Sequence, residues 1–426
     1  MRVLMDTAPA VYSPNYETSW VSNCDLSSIA RAVGTPTFVY SEERLRRNVD
    51  RITGAARDAG LGDRVKLYVP LFPNSNPHVL APFRDLAVGL LLQLPNEHEL
   101  ALRHGFDDFI VSPGHVGDDE LAYWSRAGHP TFLSSLNEVE TALRLGSPSI
   151  SARIDSLGSG KPGIKYGELD ELARLLERHG RRLECFEVYT GSGNTRDEMI
   201  NIIETLFGIM QANFPRVDSV NFAGGHGFVY EAWEDEDKHF DWNEYFRALR
   251  RISDRYRVPE HVRFLFEPAR DVLADIGALL LKIERPVLSS PVSDIVVTDG
   301  SRMLMPSAQL RERRHNVMFL DAGFRPLRCD AHDLLDRRPA SIRGRTILRN
   351  DYVLPGEYPV PDGVDGTCHL AILDVGAYCA TQHMEFLNVP PAPEVLVGRD
   401  GVIRQVSAAG DPMDKWRNLL PEPRPL

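Results

Sequence analysis

Short apolar segments alternate with amphipathic helical patterns through the first two thirds of the chain. Strands buried on both faces of a parallel sheet give continuous apolar segments of this kind, because helices cover both sides of the sheet. The apolar segments are 66–71, 88–94, 108–112, 131–135, 150–156, 184–190, 218–224 and 263–268. The helical patterns, with apolar residues three or four positions apart, are 42–59, 97–104, 118–126, 136–145, 168–179, 195–213 and 242–256. The eight apolar segments, alternating with helices, predict a closed parallel (β/α)8 barrel.

The pattern changes after about residue 283, where proline and glycine turns begin to separate β-type segments. Such a succession is typical of an all-β domain. The segments are 294–299, 316–321, 345–351, 369–375 and 394–401. The predicted fold class is therefore α/β, with a TIM barrel over residues 41–283 and a C-terminal all-β domain over residues 284–426. The N-terminal strand from residues 1–40, read at 36-PTFVYS-41, completes the β domain.

Composition narrows the class of partner. The chain has 426 residues, enough for two domains and a large core, and a net charge of −12 that argues against nucleic acid or an anionic membrane surface. Its apolar segments are shorter than the roughly 18 residues of a spanning helix. Asp6 interrupts the short apolar start of the chain, so a signal peptide is not expected. The five cysteines are scattered without paired spacing, which favours a reducing cytoplasm and no zinc site.

An acidic segment, 231-EAWEDEDKHFDW-242, follows the seventh predicted strand. Its carboxylates lack the organised spacing of a calcium loop. We interpret it as a solvated loop over the barrel mouth and predict no metal site.

Glycine-rich and charged motifs follow the last three predicted barrel strands, where barrels of this kind carry their active sites. The sixth strand ends in 189-YTGSGNT-195, which can present N–H groups and a hydroxyl to a phosphate at a helix N-terminus or be an ordinary turn. The seventh ends in 223-AGGHG-227, where glycine permits close approach of the backbone to a ligand. The eighth ends in 267-EPAR-270, which taken alone also suits a surface ion pair.

The order and separation of these three motifs resemble the fold-type III pyridoxal-phosphate (PLP) decarboxylases, which include ornithine, diaminopimelate and arginine decarboxylases. The resemblance implies that Glu267 holds the pyridine nitrogen protonated, so that the ring can accept electrons. It implies further cofactor contacts, mainly around the phosphate, from Arg153, Ser192, Gly193, Gly224, Gly225, Arg270 and Tyr378. Other matching segments are 137-NEVETAL-143, 165-KYG-167, 329-CDAHD-333 and 376-GAYCATQHMEFLN-388.

The segment 329–333 carries an expectation about assembly. In the family, its cysteine and aspartate reach across a dimer interface into the partner's site, so the resemblance implies catalytic roles for Cys329 and Asp333. It also implies a head-to-tail homodimer with shared active sites. Taken alone, Cys329 would be interpreted as a small buried hydrophobic residue.

The clearest departure from the family lies in 63-DRVKLYVPLFPNSNPHVLAPF-83. A gapless match places Phe72 at the position of the Schiff-base lysine, and a phenyl ring can neither form that bond nor move a proton. Lys66 lies six residues earlier, about 20 Å along an extended strand. Lys161 and Lys165, in the loop after the fifth strand, are candidates to replace the missing amine or are simply solvated.

The other departures cluster where the reactive edge of the cofactor ring would lie. Glu187 and Tyr189 replace the family's paired histidines, and Tyr189 can still stack on the ring. Leu94, Ala223 and Leu387 replace a serine, a glycine and an asparagine of the family pattern. Residues around the phosphate and the ring nitrogen match, so Glu187 and Tyr189 are candidates for new catalytic roles.

Three functional hypotheses follow. The first is a carbon–carbon lyase, a decarboxylase of a small amino-acid-like substrate, that holds PLP non-covalently. The second is a non-catalytic decarboxylase homologue that binds a partner protein. The third is an enzyme that has abandoned PLP and uses the vacated pocket for other chemistry.

Overall fold

The structure, a computed structural model, describes residues 19–155, 160, 162–232, 234–289, 294–327 and 339–424. Its strands are β1 (Thr37–Ser41), β2 (Val65–Pro70), β3 (Gly89–Leu92), β4 (Phe109–Val111), β5 (Phe132–Leu133), β6 (Ser151–Asp155), β7 (Ile164–Lys165), β8 (Cys185–Glu187), β9 (Ser219–Asn221), β10 (Arg263–Phe266), β11 (Gly277–Ser289), β12 (Asp294–Thr298), β13 (Val317–Leu320), β14 (Ala340–Arg343), β15 (His369–Leu373), β16 (Glu394–Val397) and β17 (Ile403–Ser407). Its α-helices are α1 (Leu26–Val33), α2 (Glu42–Asp58), α3 (Pro77–Leu80), α4 (Pro82–Asp85), α5 (Pro95–Arg103), α6 (Asp118–Ala127), α7 (Leu136–Arg144), α8 (Leu169–Arg178), α9 (Arg196–Asn213), α10 (Asp235–Lys238), α11 (Trp242–Arg255), α12 (Arg270–Leu273) and α13 (Pro306–Leu310).

The chain divides into two compact units. The barrel unit comprises Leu45–Phe228 and His239–Val272. The β unit comprises Met1–Arg44, Val229–Lys238 and Leu273–Leu426. The stretch from 229 to 238 thus packs with the β unit, although its neighbours in the chain belong to the barrel unit.

The barrel unit contains a parallel sheet in the order β4-β3-β2-β10-β9-β8-β6-β5, with β7 paired to β6. Within the described residues, an isolated parallel bridge between Val111 and Thr131 joins β4 to the residue before β5 and nearly closes the cylinder. Each of the eight predicted apolar segments overlaps one of these strands. The predicted (β/α)8 barrel is therefore confirmed.

The barrel interior is filled by apolar side chains from several strands. One buried cluster consists of Leu91, Ile110, Phe132, Cys185 and Leu265, with Tyr68 and Phe72 packed against it. The surrounding helices bury one apolar face each, as α8 does with Leu169, Leu172, Leu175 and Leu176 at helical spacing. Side-chain caps fix where helices begin: Thr195 and Glu198 form a capping box at the start of α9.

The β unit is built on the order β13-β15-β11-β1-β16-β17, with β12 paired to both β11 and β14. The N-terminal strand β1 pairs antiparallel with β11 and parallel with β16. A separate mixed sheet is therefore present beside the barrel sheet, and β1 is one of its strands. The bounds predicted for the two domains stay a prediction. The long strand β11 begins at Gly277, ahead of the change in sequence pattern near residue 283.

The predicted strand at 345–351 is wrong. The strand in this region is β14, and residues 345–351 form turns around the buried carboxylate of Asp351. That carboxylate accepts hydrogen bonds from the Thr346 backbone and hydroxyl at 3.0 and 2.6 Å, and from the Ser301 hydroxyl at 3.0 Å. Such side-chain bonds give the backbone an alternative to a strand ladder.

A search of the helices in the described part of the chain finds none that combines the length and apolar character of a membrane span.

Candidate functional site

A buried ion pair lies inside the barrel, near the C-terminal ends of its strands. Arg153 on β6 is directly opposite Glu187 on the adjacent strand β8. The Arg153 guanidinium donates to Glu187 Oε1 and to the hydroxyl of Ser112, and that hydroxyl donates in turn to Glu187 Oε1 at 2.8 Å. Burial opposes the charge of Arg153, but the adjacent Glu187 outweighs it and raises the pKa of the guanidinium. The pair is therefore strongly coupled.

Asn221 connects this pair to a second buried carboxylate. Its amide nitrogen donates to Glu187 Oε2 at 3.2 Å and to Glu267 Oε1 at 2.7 Å. Its amide oxygen accepts from the backbone N–H of Ala223 at 2.8 Å. Asn221 is fully buried and Glu267 is only 8% exposed. One side chain thus fixes both carboxylates and the first residue of the glycine cluster.

The two glycine turns that follow β8 and β9 are hydrogen-bonded to each other. The backbone N–H groups of Gly193 and Asn194 both donate to the carbonyl of Gly225 at 2.9 Å, and Gly227 N–H donates to the carbonyl of Asn194 at 3.0 Å. Gly225 has φ +97°, and a Cβ added there would lie 2.1 Å from the carbonyl oxygen of Gly191. This position therefore requires glycine for turn packing alone.

The glycine positions differ in the space around them. A Cβ on Gly224 would lie 2.8 Å from the backbone oxygen of Glu267. Gly191 and Gly193 also have positive φ, but a Cβ on either would meet no atom of the described residues within 4 Å. Among the described residues, the first turn is therefore open on the side of Gly191 and Gly193 where a Cβ would point, while the second turn is packed against Glu267, the residue after β10.

Tyr189 and Ser192 lie on the exposed rim of the first turn. Their hydroxyl oxygens are 2.8 Å apart, within hydrogen-bonding distance. Tyr189 is half-buried and Ser192 is exposed. Arg270, also half-buried, is the first residue of α12, three residues after Glu267. The barrel unit thus joins Arg153 to Glu187 directly and Glu187 to Glu267 through Asn221, and it packs Gly224 against the Glu267 backbone. Gly225 bonds to the adjoining turn, which carries Tyr189, Ser192 and Gly193.

Phe72 lies two residues beyond the end of β2. The backbone N–H of Leu71 still pairs with the carbonyl of Leu91 at 3.1 Å, so the chain follows the sheet up to Phe72. Its half-buried ring packs against the apolar cluster of the barrel interior. The ring therefore caps this apolar layer at the end of the strand where active sites of barrels lie.

Two of the lysines considered as replacements for the missing Schiff-base amine form contacts with carboxylates. Lys66 Nζ contacts Asp108 at 2.5 Å and the carbonyl of Ala87 at 2.7 Å. Lys165 Nζ contacts the carboxylate of Asp155 at 2.5 Å, at the end of β6. Lys161 lies outside the described residues.

In the β unit, Tyr378 follows β15 in a tight turn. It has φ +61° and its carbonyl accepts a hydrogen bond from the Ser307 hydroxyl at 2.7 Å. Its side chain is half-buried between the buried residues Ala377 and Cys379. Cys329 and Asp333 lie outside the described residues.

Sequence reasoning missed Ser112 and Asn221. Ser112 ends the predicted apolar segment 108–112 and Asn221 lies within the segment 218–224, and a small polar side chain at these positions was the available signal. Across the described residues, no group of three or more His, Cys, Asp or Glu side chains could hold a metal ion.

Comparison with known proteins finds relatives along nearly the whole chain. Diaminopimelate decarboxylase from Streptomyces coelicolor is 24% identical over 405 residues, which cover 87% of this chain and 86% of that protein. Diaminopimelate decarboxylase from Methanothermobacter thermautotrophicus is 25% identical over 431 residues, which cover 92% and 94%. The chain is therefore similar to diaminopimelate decarboxylases over most of its length. No family model matches it.

Solved structures give the same result for the fold. Diaminopimelate decarboxylase from M. jannaschii, in complex with L-lysine, superposes with a TM-score of 0.79 at 18% identity, covering 93% of this chain and 95% of that one. The sequence relatives, together with the shared fold, confirm the predicted resemblance to the fold-type III decarboxylases. The correspondence of Phe72 to the family's lysine stays a prediction.

Proposed function

We propose that this protein is a carbon–carbon lyase, which decarboxylates a small amino-acid-like substrate and holds PLP without a covalent tether. The observation that carries the proposal is the buried Glu267 carboxylate, fixed by Asn221 beside the two hydrogen-bonded glycine turns. Homology to diaminopimelate decarboxylases along most of the chain supports it. The L-lysine bound to the related M. jannaschii enzyme supports an amino-acid-like substrate.

The residues present fit the cofactor. Glu267 offers a buried carboxylate for the proton of the pyridine nitrogen, and Asn221 fixes one of its oxygens at 2.7 Å. No described atom lies within 4 Å of a Cβ added at Gly191 or Gly193, and the phosphate is proposed to lie on this side of the turn, near the Ser192 hydroxyl. Arg270, Gly224, Gly225 and Tyr378 are the further proposed phosphate contacts. Bound PLP supplies an electron sink for the electrons left on carbon when carbon dioxide departs.

The remaining residues have distinct proposed roles. Glu187 is engaged by Arg153, Ser112 and Asn221, so it serves as the counter-charge that keeps Arg153 in the site. The Tyr189 hydroxyl lies on the rim next to Ser192, where it can return a proton to the substrate carbon that has lost its carboxylate. Phe72 covers the apolar layer of the barrel and excludes water from that side.

We propose that the active assembly is a cytoplasmic homodimer. Cys329 and Asp333 are proposed to reach the catalytic site of the partner subunit, as the resemblance implies. The cysteines in the described residues, Cys24, Cys185, Cys368 and Cys379, are free thiols, which supports a reducing compartment.

The test is a titration of the purified protein with PLP, followed by visible absorption and by calorimetry. The wild type is expected to bind PLP reversibly, and Glu267→Ala is expected to lose most of the affinity and the band of the ring-protonated cofactor. Glu184→Ala, a variant at a carboxylate before β8 that is 28% exposed, is the matched control. Absence of PLP binding by the wild type would refute the proposal and favour a cofactor-free enzyme or a partner-binding homologue.

A further inference from the structure

Asp271 directly follows Arg270, and its carboxylate is fully buried in the barrel unit. Oδ2 accepts hydrogen bonds from Trp242 Nε1 at 2.6 Å and from Arg51 Nη2 at 2.7 Å. Oδ1 accepts from the Phe240 N–H at 3.1 Å and lies 2.9 Å from His239 Nδ1. Burial alone would raise the pKa of Asp271, but hydrogen bonds from His239 and Trp242 and the charge of Arg51 lower it to about 2.

These contacts fix the start of α12 to two longer helices. Arg51 belongs to α2, and Trp242 is the first residue of α11. A further side chain of α2, Asn48, donates to the carbonyl of Val272 at 3.0 Å. The helix α12 has only four residues, too few to be stable by its own hydrogen bonds. The position of α12, and with it the backbone of Arg270, therefore depends on these side-chain contacts.

Trp242 also packs against the glycine cluster. Its ring centroid lies 4.3 Å from that of His226, the residue after Gly225. Within the described residues, neither ring nitrogen of His226 has a hydrogen-bond partner, so His226 contributes packing against Trp242, Phe240 and Tyr245. One indole thus contacts the neighbour of Arg270 through its N–H and the neighbour of Gly225 through its ring.

Burying the charge of Asp271 costs free energy that an apolar side chain at this position would not. Removing a carboxylate and its donors together in favour of packed apolar groups is often neutral or stabilising. The side chains around Asp271 and His226 are mostly aromatic, so an apolar residue would serve packing alone. A carboxylate held by several donors instead fixes the orientation of Asp271 and of the short helix that carries it. The adjacent residue, Arg270, needs a defined orientation, because a guanidinium binds a phosphate through directional hydrogen bonds.

We propose that Asp271 and Trp242 are positioning residues that hold Arg270 and the Gly224–Gly225 turn in place for the phosphate of PLP. This proposal rests on the proposed function, because Arg270 and the glycine turn are phosphate contacts only if PLP binds. Asp271 and Trp242 are not themselves proposed as phosphate contacts.

The experiment compares the affinities of PLP and pyridoxal, which lacks the phosphate, by calorimetry. Trp242→Phe keeps most of the ring packing and removes the hydrogen bond to Asp271. It is expected to weaken PLP binding about tenfold, the size of a lost hydrogen bond to a charged group, and to leave pyridoxal binding unchanged. Trp124→Phe is the matched control, since Trp124 is equally buried and its Nε1 also donates to a carboxylate, that of Glu120 at 3.3 Å.

Two further experiments distinguish a loss of Arg270 positioning from a general loss of folding: a variant of Arg51, and Trp242→Phe combined with Arg270→Ala. Arg51→Gln changes a side chain that is 29% exposed and should cause the same selective loss if Trp242→Phe fails to fold. In an Arg270→Ala background, Trp242→Phe should cause no further loss of PLP affinity. An equal loss for PLP and pyridoxal, or an unchanged PLP affinity in both variants, would overturn the proposal while the proposed function stands. A wild type that binds no PLP would refute both.

Discussion

Arg153 and Glu187 occupy directly opposed positions on neighbouring parallel strands and form an ion pair inside the barrel. The Glu187 side chain is 1% exposed and that of Arg153 is 12% exposed. Two buried charges of opposite sign are tolerated because each is the other's partner, and removing one leaves the other without compensation.

Glu187→Ala is therefore expected to lower the free energy of unfolding by about 3–5 kcal/mol, measured by urea denaturation. Asp218→Asn is the control, because Asp218 pairs with Arg182 at 2.6 Å on the surface, where both side chains are roughly half-exposed. The control should lose less than about 1 kcal/mol. Similar losses in the two variants would contradict a buried pair.

Phe72→Lys tests the register of the whole candidate site. If Phe72 occupies the place of the family's lysine, the variant should gain a covalent linkage to PLP that borohydride reduces and mass spectrometry locates on residue 72. Phe72→Met, which keeps an apolar side chain, is the control and should gain none. A Phe72→Lys variant that binds PLP but forms no linkage would show that the alignment at this strand is shifted.

His226 makes stability depend on pH. Burial lowers the pKa of His226 from 6.5 to about 4, with Asp271 acting weakly in the opposite direction. The unfolded chain therefore takes up a proton before the folded protein does, so the free energy of unfolding falls as pH decreases from 6.5 towards 4. The loss from this group is about 3 kcal/mol.

His226→Leu should remove this contribution. The variant is expected to unfold at a higher urea concentration at pH 5 and to show a shallower pH dependence over the window from 6.5 to 4. His315, whose pKa burial also lowers to about 4, would leave some pH dependence behind. A slope equal to that of the wild type would contradict the assignment to His226.

The glycine turns should respond differently to added methyl groups. Gly225→Ala places a Cβ 2.1 Å from the Gly191 carbonyl and is expected to cost about 3 kcal/mol or more of stability. Gly193→Ala also requires positive φ, but its Cβ meets no atom of the described part of the chain within 4 Å, so a loss of about 1–2 kcal/mol is expected. Thermal unfolding of both variants gives the comparison, and equal melting temperatures would contradict the packing of the two turns.

The barrel could be predicted because its strands are buried on both faces and therefore consist of continuous apolar residues. The glycine turns and 267-EPAR-270 could be found because their residue types are unusual at strand ends. Ser112 and Asn221 were missed, since a single polar residue in or at the end of an apolar segment does not show which side chains it will meet. Their role depends on neighbours that are distant in sequence, such as Glu187, 75 residues from Ser112.

The acidic segment 231–242 is a second place where contacts with residues distant in sequence could not be predicted. Its composition predicts a solvated loop, yet Lys238 is buried and donates to both oxygens of Asp374 in the β unit, at 2.9 and 3.0 Å. Phe240 and Trp242 are also buried, in the barrel unit. Burial of a lysine follows from a carboxylate 136 residues away, which local composition cannot reveal.

The barrel sheet is expected to open locally most easily between β4 and β5. Among the described residues, β5 has two residues and β4 reaches its neighbourhood through the single bridge from Val111 to Thr131. Few main-chain hydrogen bonds must break for β4 and β5 to separate. The backbone amides of Phe132 and Leu133 should therefore exchange with deuterium faster than those of β2. Fluctuations along this line would admit solvent to the apolar interior from the side, without disturbing the glycine turns.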